Sequence, residues 1–257
     1  MKALWLADVL RASELHVVEQ PGRKERGRGD FTAIKGVVCH HTAGSSKGNA
    51  PSLGIVTNGR EGLPGPLSQL VLGRDGTYFV VAAGKSNHAG PGKWHGVIAG
   101  NSQMIGIEAE NTGLLNDQPW PAMQMEAYIR GVAAILKQIK ADAVMVCGHK
   151  EYAQPQGRKP DPTFDMVAFR AAVEEVMAGK AIPTIPEPVD PTYSMLKKGD
   201  MGPSVKKLQQ LLGILADGNF GPKTEAKVKS FQKSKDLVAD GLVGQKTWAA
   251  LGITNSR

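Results

Sequence analysis

The chain has 257 residues, enough for one full hydrophobic core with a smaller module beside it, and its 41% hydrophobic content is that of a protein that folds without staples. Its longest apolar runs, such as AVMVC at 143 to 147, fall far short of the ~20 residues a bilayer span needs, which argues against membrane insertion. A formal net charge of +7, from 31 Lys and Arg against 24 Asp and Glu, favours polyanionic partners (nucleic acid, anionic lipid or an acidic cell wall) without choosing among them.

At the N-terminus Leu6, Val9 and Leu10 fall at helical spacing, with Asp8, Arg11 and Glu14 between and after them. This pattern predicts an amphipathic helix and not the apolar stretch of a secretory signal. The expectation is a chain made in the cytoplasm without Sec export. In that setting the only two cysteines, Cys39 and Cys147, read as small core residues and not as a disulfide.

GVVCHH at 36 to 41 reads as a buried strand ending in two histidines, whose side chains alternation sends to opposite faces. LSQLVL and TYFVVAA flank GRDG, a hairpin turn signal, and MIGIEAE is a further strand. A helical stripe follows at Met125, Tyr128, Ile129, Val132, Ile135, Leu136 and Ile139, then a strand over AVMVC and a last helix from Asp165. This alternation predicts an α/β fold with a mixed central sheet flanked by helices, over residues 1–178. Residues 179–195 carry four prolines and no period, the signature of an extended spacer. Beyond it, DGNFGPKT at 217 to 224 is echoed by DGLVGQKT at 240 to 247. Each copy is a turn entering a helix, so with SVKKLQQLLG the segment 196–257 predicts a second, small three-helix domain.

Polar groups gather at the expected strand ends: His40 and His41, Glu108, and His149, with Lys159 and Asp161 on the loop GRKPDPTFD. Strand ends and the loops after them are where α/β sheets build sites. Two histidines and a carboxylate make a three-ligand zinc site with a fourth position left for water, which suits amide hydrolysis at neutral pH. Taken singly, each histidine reads as an ordinary hydrogen-bonded residue, Glu108 and Glu110 compete for any catalytic role, and Lys159 and Asp161 are a polar loop.

Taken together, CHHTAG, SNHAG, MIGIEAEN and GHKEYAQPQGRKPDP resemble, in this order, the zinc N-acetylmuramoyl-L-alanine amidases of the type-2 amidase and peptidoglycan-recognition superfamily. The module from Leu196 to Leu251 resembles the peptidoglycan-binding domain 1 family, whose D-G-x-x-G-x-x-T repeat it shows twice. The resemblance implies His40, His149 and Asp161 as zinc ligands, Glu108 as general base, Lys159 as the cation facing the oxyanion, and Asn87, His88 and Asn111 along the substrate groove. It leaves His41 to packing or to support of a ligand. It further implies hydrolysis of the amide between N-acetylmuramic acid and L-alanine in bacterial peptidoglycan, with action on the cell wall; a monomer is the expectation for the chain.

A wall-binding module in a chain without an export signal fits a phage or prophage endolysin released through a holin-type pore. A cytoplasmic muropeptide-recycling amidase is the nearest alternative. A recognition protein that holds peptidoglycan without cutting it is another, although such relatives typically lack a ligand that this chain has. Nucleic acid is not expected as a partner, since no aromatic-rich basic strand or recognition helix is present.

Overall fold

Leu6 and Leu10, one helical turn apart, form the inner stripe of α1 (Leu6–Ala12) and are wholly buried together with Ala3 and Ala7. The chain then enters β1 (Val17–Glu19) and β2 (Gly36–His41), the latter buried at every position. Next come α2 (Leu53–Asn58), a small hairpin of β3 (Gly59–Arg60) and β4 (Leu63–Pro64), and the antiparallel pair β5 (Leu70–Leu72) and β6 (Tyr78–Val80). The GRDG turn between β5 and β6 closes through Gly76 N–H to the Gly73 carbonyl and through the Asp75 carboxylate accepting from Thr77 N–H. A short α3 (Gly100–Gln103) leads into β7 (Met104–Ala109), followed by α4 (Ala122–Ile139).

The strand expected over AVMVC is shorter than its apolar pattern. Ala143–Met145 is a 3-10 turn, and only Val146–Gly148 joins the sheet as β8. The unit ends with α5 (His149–Tyr152) and α6 (Met166–Met177), whose N-cap Asp165 accepts from Val167 and Ala168 N–H.

The six strands run in the order β1-β6-β5-β7-β2-β8, parallel throughout except at the β5–β6 hairpin. This is the mixed central sheet that the alternation predicted. Residues of α1, α4 and α6 share one core with Val37, Cys39, Ile105, Ile107 and Val146. On the opposite face Val38, Met104 and Cys147 pack with Ala89, Val97 and Tyr152. Both cysteines are buried and free. Among the described residues no helix is long and apolar enough to cross a membrane.

The computed structural model describes residues 1–114, 117, 120–182, 195–235 and 237–251, and the chain divides into two compact units, 1–186 and 187–257. The expected spacer over 179–195 lies outside the described residues from 183 to 194. At its start, Gly179 and Lys180 still donate to carbonyls of α6, and Ile182 packs on the first core.

The second unit holds α7 (Pro203–Leu211), α8 (Pro222–Ser234) and α9 (Gln245–Ala250) around Val205, Leu208, Phe220, Val228, Val243 and Trp248. Its repeat has a physical basis. Buried Gln209 donates to Asp217, the Asn219 carbonyl and Thr224, and accepts from Gly218 N–H at 2.8 Å. Gln232 does the same with Asp240, the Leu242 carbonyl, Thr247 and Gly241 N–H.

Candidate active site

Parallel pairing of β2 with β7 sets His40 opposite Glu108, one step beyond Val38 opposite Gly106. Register partners project to the same face, so these two polar residues share the side of the sheet away from α4. On α4 the Tyr128 hydroxyl accepts from His40 N–H and lies 3.0 Å from the Ile107 carbonyl, to which it can donate. It therefore spans β2 and β7 at the level of His40. The sequence marked Tyr128 only as one residue of an apolar stripe; its hydroxyl among otherwise aliphatic neighbours was the available signal.

His149 opens α5 directly after β8, the neighbour of β2 on the other side. Asp161 arrives from the loop after α5, whose backbone is held by Lys150 N–H donating to the Asp161 carbonyl at 2.6 Å and by Lys150 Nζ donating to the Phe164 carbonyl. The three side chains meet in a buried triangle. His40 Nδ1 is 3.0 Å from His149 Nδ1 and 3.2 Å from Asp161 Oδ2, and His149 Nδ1 is 3.1 Å from that same oxygen.

These residues fit a zinc ion. Two imidazole nitrogens and one carboxylate oxygen are its usual donors in catalytic sites, and among the described residues no other group of three such side chains converges in this way. His149 Nε2 lies 3.0 Å from the Ala89 carbonyl, an acceptor, so that nitrogen carries the proton and Nδ1 offers a lone pair to the triangle. Burial lowers the His40 pKa to about 4 against the opposing pull of Asp161, which keeps the ring neutral, the form that coordinates metal.

Beside the triangle opens a cavity of about 500 Å³ lined in part by His41, Asn87, His88, Glu108, His149, Lys159 and Asp161. Glu108 is half-buried in its wall, and its Oε2 is shut off from solvent without a hydrogen-bond partner. Burial, reinforced by the charges of Asp161 and Glu110 and opposed by Lys159, raises its pKa to about 8. Lys159 is half-buried and has no ion-pair partner among the described residues.

Glu110, the competing carboxylate, is fully committed. It is wholly buried and accepts from Ser52 N–H, Ser52 Oγ and Thr42 Oγ1 at 2.7 to 2.9 Å, which ties α2 to the turn after β2. His41 lies outside the triangle, its ring against Trp120 and so close to Gly113 that a side chain there would collide with it. Asn87 lines the cavity while its Nδ2 donates to the Pro64 carbonyl. His88 also reaches the cavity, but its Nδ1 is 3.1 Å from His40 Nε2, behind the triangle. Asn111, expected along the groove, is instead wholly buried, and its side chain donates to the Asp117 carbonyl and accepts from Gly113 N–H.

Residues 30–164 match the family described as N-acetylmuramoyl-L-alanine amidase, and residues 201–251 match a family described as a peptidoglycan binding domain. No curated protein matches the chain. Among solved structures, it is similar to a peptidoglycan-binding protein from Clostridioides difficile in complex with glutamine hydroxamate, at 42% identity over 24% of this chain and 42% of that one, with a TM-score of 0.23. It is similar to the Burkholderia AP3 phage endolysin at 38% identity over 23% of this chain and 25% of that one, again with a TM-score of 0.23. A third is the E.coli N-acetylmuramyl-L-alanine amidase AmiD, in complex with anhydro-N-acetylmuramic acid-L-Ala-D-gamma-Glu-L-Lys, at 19% identity over 89% of this chain and 91% of that one, with a TM-score of 0.45. The matches span less than half the length of the first two of these proteins.

Proposed function

The chain belongs to the N-acetylmuramoyl-L-alanine amidase family, and on that ground we propose that it is a zinc hydrolase cleaving the amide between the lactyl group of N-acetylmuramic acid and L-alanine in bacterial peptidoglycan. The observation that carries this reading is the convergence of His40, His149 and Asp161 within 3.2 Å of one another, beside a cavity walled by an unpartnered carboxylate and an unpaired ammonium. When bound by those three side chains, zinc supplies Lewis-acid polarisation of the carbonyl and a lowered pKa for attacking water.

The remaining work falls to the chain's own groups. In its ionised form Glu108 Oε2, with no hydrogen bond to give up, accepts the proton of the attacking water and returns one to the leaving amine. The Lys159 ammonium, in the cavity wall, offsets the negative charge that develops on the carbonyl oxygen. Asn87, which lines the cavity, contacts the substrate. The match of residues 201–251 to a peptidoglycan binding domain supports polymeric wall as the substrate and a lytic role of the endolysin kind.

Digestion of purified wall followed by mass spectrometry tests the reading. New L-alanine N-termini should appear together with free lactyl groups on muramic acid, and Glu108→Gln should slow their appearance by about 10² or more. Cleavage at any other bond, or full turnover by Glu108→Gln, would count against it.

A further inference from the structure

Behind the donor triangle, residues 88 to 91 fix which nitrogen of each ligand ring carries its proton. The Met104 carbonyl only accepts, and His88 Nε2 lies 3.2 Å from it, so His88 carries its proton on Nε2. With that proton on Nε2, the neutral ring presents Nδ1 as an acceptor. His40 Nε2, 3.1 Å from that atom, must then donate. In that tautomer His40 Nδ1 carries the lone pair and faces Asp161 Oδ2 and His149 Nδ1 at 3.2 and 3.0 Å.

We propose that His88 is a positioning residue of the metal centre, accepting the Nε2 proton of His40 and so holding His40 in the one tautomer whose Nδ1 can coordinate. Its neighbour completes the device, since the Ala89 carbonyl accepts from His149 Nε2. One dipeptide thus sets both ligand imidazoles. Asn101 Oδ1 holds that dipeptide by accepting from His88 N–H at 2.9 Å and Ala89 N–H at 2.7 Å. Arg158 donates to the Pro91 carbonyl at 2.7 Å, fixing the segment a second time from the loop that carries Asp161. Beneath the ring, a Cβ on Gly106 would lie 2.7 Å from His88 Cγ, so the imidazole rests directly on the β7 backbone. Preorganised ligand tautomers raise metal affinity, and loss of such an outer partner typically weakens it 10- to 100-fold. For its consequence the inference rests on the zinc reading; its geometry stands without the metal.

Long-range proton–nitrogen spectra of the metal-free full chain, joined to a zinc titration, test it. The wild type should show His40 protonated on Nε2. His88→Phe, which keeps the ring volume but has no acceptor, should release that preference and weaken zinc about 10- to 100-fold. His88→Asn, whose side-chain oxygen can stand where Nδ1 stands, should restore both. A wild-type His40 protonated on Nδ1 overturns the proposal even where His88→Phe fails to fold, as does His88→Phe with unchanged tautomer and zinc affinity. A wild type with the expected tautomer that takes no zinc overturns the zinc reading, while still supporting His88 as the group that sets His40.

Discussion

Glu108 and Glu110 stand two residues apart and show how surroundings divide identical side chains. Three donors hold the Glu110 carboxylate, whereas Glu108 keeps one oxygen buried and unpaired. The raised pKa of Glu108 carries a thermodynamic signature. Between its unfolded value of 4.5 and about 8 the folded state binds more protons than the unfolded one, so this group's contribution to stability falls as pH rises through that window. In metal-free protein, Glu108→Gln should therefore gain stability over wild type at pH 8.5, on the order of 4–5 kcal/mol. At pH 4 the two should be nearly equal. Urea unfolding at both pH values checks this; equal stability at pH 8.5 would mean that the carboxylate is solvated. The adjacent histidines offer a second contrast. His40→Ala should lose bound zinc by elemental analysis, while His41→Ala should retain it, because only His40 contributes to the triangle.

At the scale of elements, the site depends on register. Parallel pairing sets His40 beside Glu108, and a slip of one residue between the strands would leave the two on opposite faces of the sheet. Tyr128 strengthens that register by bonding into both strands from the helix behind them. In the second unit the corresponding device is the buried glutamine of each repeat. Gln232→Leu keeps approximate volume but leaves Gly241 N–H and the Leu242 carbonyl without that partner, which should cost roughly 2–3 kcal/mol. Calorimetry of the full chain should show a transition of the second unit moved to lower temperature. Hydrolysis of soluble muropeptides should stay at the wild-type rate, and a matching loss there would tie the repeat to catalysis.

For the whole molecule, the division at 186 and 187 separates the buried triangle from the repeat module. A chain ending at residue 186 should fold, bind zinc and cleave soluble muropeptides at about the full-length rate. On intact wall it should be slower, because a tethered second contact raises local substrate concentration, an effect worth roughly 10² to 10⁴ when geometry allows. A truncated chain inactive on soluble fragments would make the C-terminal unit part of the catalytic fold.

By itself the sequence determined the local and periodic features. The α4 stripe, the GRDG hairpin, the Asp165 cap and the two turn-helix repeats are all encoded by neighbours within a few residues, where spacing and turn chemistry act directly. It also brought forward His40, His149, Asp161, Glu108 and Lys159 as candidates, through motif order and not through any one signal. The AVMVC run misled because apolar composition does not distinguish a strand from a buried turn leading into one. Only the tertiary structure decided what depends on contacts between distant segments. His88 backs a ligand ring, Glu110 is a brace, and Tyr128 joins two strands. These roles turn on hydrogen-bond partners up to 88 residues away, which residue type and local spacing do not specify.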